Sequence, residues 1–376
     1  MLVRASHRLF NKDAKLSIFI RSVFMHSSTP TIILIFQALL AALLISILAA
    51  FISTWLARRI DLIDLPGSEP HKQHEKPVPL AGGIALIATL LIGEYFFGNF
   101  ANKAIRASFI AALPIFIFGV WDDFKNLSPI IKFFGQVLAA LFLIRAGVSI
   151  QIFESPEFFL HGTGKIYLYL DWLLTILWVV GITNAFNFVD SMDGLLLGLG
   201  ATAAGFFMLV TIDSQQLQLT YHSALILGTC IGLYFLNSSP AVLFLGDSGS
   251  QTLGVLLSAL AIAYAPRGAN QSSSWFVPIL LLIVPIFDAS LVIISRLRRK
   301  RPVYTASLDH TYHRLLRLGL APNRAVLVMQ VSSLILNCLA FMCLNQPPLV
   351  ANLIFAIVLG LGAVMLVLLD RRANWV

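Results

Sequence analysis

The chain has 376 residues, 58% of them hydrophobic and only 12% charged, with a mean hydropathy of +0.85. Soluble domains carry about 25% charged residues, so this composition excludes a soluble enzyme and describes a polytopic membrane protein. In a soluble chain the net charge of +8 and the pI near 9.6 would suggest nucleic acid. In a membrane chain the excess of Lys and Arg in cytoplasmic loops accounts for both, and no nucleic-acid partner is expected.

Residues 1–30 form a basic tail with Arg4, Arg8, Lys12, Lys15 and Arg21, in which 16–24 suits a short interfacial helix. The first long apolar run starts near Thr31 and is too long for a signal-peptide core, so no cleavable signal is expected. Apolar runs then follow at about 31–57, 81–98, 105–121, 133–149, 169–188, 194–212, 220–238, 250–265, 275–295, 323–344 and 350–369. Several fall short of the roughly 20 residues that a full span prefers. The fold class is therefore an all-α, polytopic transmembrane helical bundle of about eleven (ten or eleven) spans. It forms a single transmembrane catalytic domain over 31–370, followed by a short tail, 371–376. Cys230, Cys338 and Cys343 all lie inside apolar runs without metal-ligand spacing, so neither a disulfide nor a zinc site is expected. No internal repeat is evident.

Five loops carry the unusual polar residues: 58–80, 122–132, 184–193, 239–249 and 296–322. Two apolar runs separate each from the next, so an even number of crossings places all five on one face. They hold 13 Lys and Arg, and the C-terminal tail adds Arg371 and Arg372. The opposite loops hold only Lys103, Arg106, Lys165 and Arg267. The positive-inside bias makes the polar face, and with it the active site, cytoplasmic. The five basic residues of the N-terminal tail run against this bias, and the larger, distributed count decides.

In loop 58–80, Asp64, His71, Lys72 and His74 are candidates to face a phosphate, and Pro77, Pro79 and Gly82-Gly83 make a rigid turn into the next run. The same loop also reads as ordinary positive-inside charge with a proline stop. Loop 122–132 opens on Asp122-Asp123. Adjacent carboxylates are tolerated where a divalent cation or cationic side chains neutralise them, and Lys132 is placed to reach back to a phosphate. A helix cap is the plainer role for an Asp at that point. NAFNFVDSMDGL, residues 184–195, packs Asn184, Asn187, Asp190 and Asp193 between two apolar runs. An ionised carboxylate at mid-bilayer costs about 2.5–3.5 kcal/mol, so this cluster reads as the floor of a site for a metal and a phosphorylated substrate. SPAVLFLGDSGS sets Asp247 among small residues that let backbone N–H groups approach a phosphate, and its carboxylate is a hard ligand of the kind Mg2+ prefers. Asp288 either supports the site from behind or is a satisfied helix carboxylate. The last loop has seven basic residues, with His310 and His313 three apart and so on one face of a helix. Such a stretch suits a diphosphate or an anionic headgroup. Phosphoryl transfer needs chiefly positioning and charge neutralisation, which these groups supply. No Walker loop, nucleophile elbow or zinc-protease signature is present.

With these motifs in this order, the sequence resembles the polyprenyl-phosphate N-acetylhexosamine-1-phosphate transferases (glycosyltransferase family 4 type) from about residue 58 to 320. It looks closest to the undecaprenyl-phosphate GlcNAc-1-phosphate branch, to which NAFN is nearer than to the peptidoglycan branch. The resemblance implies transfer of a sugar 1-phosphate from a UDP-N-acetylhexosamine donor to undecaprenyl phosphate, with UMP released. It also implies Mg2+, which Mn2+ can replace, a plasma-membrane location, and it permits a homodimer. It implies Asp122, Asp123 and Asp247 as catalytic residues and Asn187 with Asp247 as metal ligands. Asn184, Asp190 and Asp193 fall on the nucleotide and sugar side. Lys72, His74, Lys132, Arg301, His310 and His313 fall on the phosphates. Two departures stand out: Tyr312 takes the middle position of an H-x-H-H pattern, and Ser191 stands where glycine is usual. Both bear on the donor sugar, for which phospho-MurNAc-pentapeptide or another UDP-N-acetylhexosamine is the alternative to UDP-GlcNAc. A transporter or flippase is the rival from another class. Transporters place charged groups near the midplane within repeats, and here the charges gather at one face.

Overall fold

The computed structural model describes residues 29–66, 76–155, 160–266, 274–302 and 308–371. The basic residues of the N-terminal tail, the stretch 16–24, and His71, Lys72, His74 and Arg372 lie outside the described residues. Helices stand at all eleven apolar runs: α1 (Thr29–Arg59), α2 (Gly82–Phe96), α3 (Lys103–Lys125), α4 (Pro129–Arg145), α5 (Lys165–Val189), α6 (Leu195–Asp213), α7 (Leu217–Asn237), α8 (Gly246–Ala263), α9 (Val277–Leu281), α10 (Ile283–Arg298), α12 (Pro322–Cys343) and α13 (Pro348–Arg371). A short α11 (Thr311–Arg317) lies between α10 and α12. Among the described residues the only sheet is a two-residue antiparallel ladder, β1 (Ile63–Asp64) on β2 (Val78–Pro79). The protein is thus all-helical, and among the described residues seven helices are long and apolar enough to cross a membrane: α1, α3, α5, α6, α7, α12 and α13.

The run expected at 275–295 is two helices rather than one. α9 and α10 break at Leu282, because Pro285 has no N–H to give to the preceding turn. The polar stretches also differ from the expected loops. α3 continues through Lys125, so Asp122 and Asp123 sit on its last turn, which closes where Asn126 turns left-handed and donates its N–H to the Asp122 carbonyl. α5 continues to Val189, so Asn184 and Asn187 are helical too.

α8 is the centre of the bundle. Every residue from Ser248 to Ala261 is buried, against α2, α3, α5 and α6. Its Gly- and Ser-rich sequence allows that closeness. A Cβ on Gly119 of α3 would stand 2.5 Å from the Ser248 Cα, and one on Gly83 of α2 would stand 2.3 Å from the Ser248 Oγ. The outer helices are the reverse. α1 exposes Phe36, Leu44, Leu48 and Phe51, and α13 buries little beyond Ala351, Phe355, Leu369 and Asp370. Apolar flanks of this extent suit a lipid surround.

At the end of the bundle away from the polar stretches, Glu94 of α2 and His222 of α7 form a fully buried hydrogen-bonded pair. The Phe109 ring lies edge-on to His222 with centroids 6.1 Å apart. Removing one partner of a buried polar pair costs about 1–3 kcal/mol, and more if the remaining group is charged. His222→Leu should therefore lower the thermal stability of the detergent-solubilised protein. Glu94→Leu combined with His222→Leu should recover much of the loss, because neither group is then left unpaired. A double variant no more stable than His222→Leu would show that packing, not pairing, holds α2 to α7.

Candidate active site

The five polar stretches meet at one end of the bundle. β2 brings the first to the fourth: Phe244 N–H donates to the Pro79 carbonyl at 2.9 Å, and Gly82 and Gly83 N–H donate to Phe244 and Leu245 carbonyls at 2.9 and 3.1 Å. The second, third and fourth share a side-chain network around Asp247. The fifth reaches the third through His310, whose ring is 5.8 Å from that of Phe188.

Asp247 lies in the first turn of α8. Asp122 and Asp123, adjacent on α3, point about 100° apart and do different work. Asp123 lies across the start of α8: its Oδ1 accepts the Asp247 N–H at 2.7 Å and its Oδ2 the Ser248 N–H at 3.2 Å. It satisfies backbone donors that a buried helix N-terminus leaves open and puts negative charge at the positive end of the helix dipole. Asp122 accepts the Leu127 N–H at 2.6 Å on Oδ1, a local cap, and on Oδ2 meets Lys132 Nζ at 2.7 Å. Both roles weighed for an Asp at this point, cap and charge partner, are therefore filled by one side chain. Lys132, in the first turn of α4, is also 2.6 Å from Asp247 Oδ2. Its ammonium thus bridges two carboxylates from separate helices.

Amides hold Asp247 from the other sides. Asn187 Nδ2 donates to Asp247 Oδ1 and to Ser250 Oγ, each at 3.1 Å. Gln251 Nε2 donates to Asp247 Oδ2 at 2.8 Å. Gln136 Nε2 donates to Gln251 Oε1 at 3.0 Å and to Asn184 Oδ1 at 3.1 Å, and Asn184 Nδ2 returns a bond to Gln136 Oε1 at 2.6 Å. Asn184 is thus built into the support beneath Asp247. Asn184 and Asn187, three apart, share one face of α5. Sequence reasoning passed over Gln136 and Gln251, and took Ser250 only as one of the small residues beside Asp247. Their signal was available as lone amides and a hydroxyl inside otherwise apolar helices.

Burial pushes the Asp247 carboxyl up, but Lys132 and the hydrogen bond from Asn187 outweigh it and leave it below the usual carboxylate range. Burial works against the Lys132 ammonium, and the two carboxylates more than compensate, raising it. Asp190, at the end of α5, has no such help. Burial and the charges of Asp247, Asp123 and Asp193 push its carboxyl well above the usual range. Asp122 and Asp247 thus share one ammonium, and Asp123 and Asp190 lie within electrostatic reach of Asp247, a crowding of acidic groups that a further cation would relieve. Among the described residues no three His, Cys, Asp or Glu side chains form a ready metal cage. Asp247 and the side-chain oxygen of Asn187 beside it are hard oxygen donors of the kind Mg2+ takes, an ion that completes its shell with water and phosphate. Asn187 offers its nitrogen to Asp247 here and keeps its Oδ1 as the one oxygen it has for a cation.

Asp193 accepts the Ala241 N–H at 3.1 Å, and Asn237 of α7 bridges Gly194 N–H and the Leu243 carbonyl at 3.0 Å each, so the third and fourth stretches are tied together. In the fifth, His310 and His313 are not partners on one helix face. His310 is the extended residue before α11, its ring centroid is 6.3 Å from that of His313, and the planes are tilted by 50°. Tyr312 lies between, parallel to His310 at 5.7 Å and 4.1 Å from His313, and its hydroxyl interacts with Ser191. The two residues that depart from the family pattern therefore meet each other. Much of the basic charge expected to face phosphate is engaged elsewhere. Arg296 and Arg299 lie 3.6 and 3.7 Å from Asp309, Arg298 pairs with Asp370, and Arg299 and Arg314 lie 3.5 and 3.7 Å from Asp370 at the end of α13. Arg314 is fully buried and also donates to Ser295 Oγ and the Leu369 carbonyl, each at 2.8 Å. Arg301 stands exposed beyond the end of α10.

Residues 105–265 match the family model described as "Glycosyl transferase family 4". Over 309 residues, 80% of this chain and 83% of the relative, the sequence is 31% identical to a Bacillus subtilis protein named "Probable undecaprenyl-phosphate N-acetylglucosaminyl 1-phosphate transferase". It is 30% identical, over 89% of this chain and 91% of the relative, to a Mycobacterium leprae decaprenyl-phosphate N-acetylglucosaminephosphotransferase. A phospho-N-acetylmuramoyl-pentapeptide-transferase from Halalkalibacterium halodurans is 26% identical over 73% of this chain and 87% of the relative. The match to the family model takes in Asp122, Asp123, Lys132, Asn187 and Asp247 together.

The contact of α3 with α8 sets the position of Asp247. Gly119→Ala should cost about 1–3 kcal/mol through overpacking. By shifting the start of α8 it should also lower turnover about 10²-fold, as small misplacements of reacting groups do. Wild-type turnover in the Gly119→Ala variant would show that this spacing does not govern the site.

Proposed function

Since the chain belongs to glycosyl transferase family 4, we propose that it transfers GlcNAc 1-phosphate from UDP-GlcNAc to undecaprenyl phosphate, giving the undecaprenyl-diphosphate sugar and UMP. Such a product initiates a cell-envelope polysaccharide. The observation that carries this reading is the Lys132 bridge between Asp122 and Asp247, set among surplus carboxylates where five polar stretches converge. The chain is a multi-pass membrane protein. Read as eleven spans, with α9 and α10 together forming the ninth, the bundle has this end on the cytoplasmic face, a reading supported by the excess of Lys and Arg in the polar stretches.

The lipid phosphate oxygen attacks the β-phosphorus of the donor. A new P–O bond joins lipid and sugar phosphate, the bond from that phosphorus to the bridging oxygen breaks, and UMP leaves with the electron pair. One step suffices, because the developing charge is met by fixed groups. Asp247 and Asn187 would hold Mg2+, which supplies charge neutralisation to the diphosphate when bound. Asp122 steers the lipid phosphate and accepts its proton where it arrives protonated. Lys132 keeps Asp122 and Asp247 ionised and close. Asp123 holds the start of α8, and therefore Asp247, in place. Asp190 and Asp193 line the nucleotide side. His310, His313 and Arg301 serve the diphosphate and sugar.

Purified protein in detergent, given undecaprenyl phosphate, Mg2+ and UDP-GlcNAc, should release UMP with a GlcNAc-diphospholipid product, and chelation should stop it. UMP release with phospho-MurNAc-pentapeptide or another UDP-N-acetylhexosamine alone would move the donor assignment and keep the reaction. Asp247→Ala should lower turnover by at least about 10³-fold with the protein still folded, and near-normal activity in that variant would overturn the metal assignment. For orientation, Ser239→Cys in a cysteine-free background should react with a membrane-impermeant maleimide only from the cytoplasmic side. Labelling from outside would invert the topology.

A further inference from the structure

Resting on the reading that His310 meets the sugar diphosphate, we propose that Asp288 is the positioning residue for His310: it keeps the proton on Nδ1 and leaves Nε2 as the nitrogen that addresses the substrate. Asp288 lies 22 residues earlier in sequence, on α10, and is fully buried. Its Oδ2 is 2.9 Å from His310 Nδ1, and its Oδ1 accepts the Thr311 N–H at 2.6 Å. A carboxylate offers acceptors only, so the nitrogen facing it carries the hydrogen. With one oxygen on the ring and the other on the next backbone N–H, the carboxylate cannot turn without breaking one of the two bonds.

The ring is fixed in other directions as well. Phe188 meets it edge-on, with centroids 5.8 Å apart and planes at 71°, and Tyr312 lies parallel to it at 5.7 Å and 12°. α10 grips the same segment a second time, one residue earlier, where Arg296 and Arg299 approach Asp309. Main chain and ring of His310 are therefore both set from α10. A cap for the Thr311 N–H alone would need one oxygen of Asp288. The second oxygen is committed to the imidazole, and that commitment selects the tautomer.

Asp288→Asn tests this at constant volume. Its single side-chain oxygen serves either the Thr311 N–H or the His310 N–H. If the oxygen stays on Thr311, the amide NH2 faces Nδ1, and the proton moves to Nε2. We expect kcat/KM to fall about 10- to 100-fold, mostly in kcat. In a His310→Asn background the same change should cost less than about threefold, since Asp288 acts through the ring. Losses that multiply independently would overturn the proposal. A second readout needs no change at position 288. In protein labelled with 15N-histidine, the His310 resonance, identified by its loss in His310→Asn, should report a protonated Nδ1. A bare Nδ1 with the hydrogen on Nε2 would overturn the proposal, whether or not the Asn variant folds. If His310→Asn itself leaves turnover unchanged, it is the assigned role of His310 that fails, while the NMR result still decides the tautomer.

Discussion

The site depends on a helix start hemmed in by neighbouring helices. α8 is buried along almost its whole length, so the N–H groups of its first turn need partners from the protein. Asp123 provides two acceptors from the neighbouring helix. This tie brings the end of α3 against the start of α8, and Asp122 and Asp247 come near each other as a result. Two carboxylates that close repel unless a cation lies between them, and Lys132 fills that position from α4. The sequence of causes runs from an unsatisfied backbone to a charge cluster, and from there to the surface proposed to accept phosphate and metal.

The amides give this cluster its rigidity. Asn184, Gln136 and Gln251 are linked side chain to side chain and end on Asp247. Each buried amide is expensive unless paired, so the network is stable in one arrangement and costly in any other. Asp247 is thereby fixed before substrate arrives, and preorganisation of this kind lowers a barrier to charge transfer.

Much of this was legible in the sequence. Apolar runs located the helices, and the even spacing of polar stretches anticipated that they would meet at one end. Asp122, Asp123, Lys132, Asn187 and Asp247 stood out because charge is costly beside apolar runs. The boundaries were less legible. Asp122 and Asp123 read as loop residues, although α3 carries them, because hydropathy measures lipid contact and not helix length. For the same reason α8, enclosed by other helices, needs no apolar surface and reads as a weaker span than its neighbours. Gln136 was hidden by distance, taking its meaning from Asn184 and Gln251, which only folding brings close, and the two roles weighed for Asp288 needed its distant partner His310 to be told apart. The pairing of His310 and His313 on one helix face did not hold, because α11 begins one residue too late to include His310.

The arginines near Asp370 carry a consequence for how basic charge should be interpreted in this chain. Arg296, Arg298, Arg299 and Arg314 contribute to the charge bias that orients the polypeptide as it enters the bilayer. In the finished protein these arginines pair with Asp309 and Asp370, Arg298 from an exposed position, and the sparsely packed α13 is fastened to α10 and α11 by them. The electric field offered to an approaching nucleotide sugar is therefore weaker than a count of basic residues implies. The same charges would count toward insertion and later fasten the last helix, so a substitution that removes one of them bears on both.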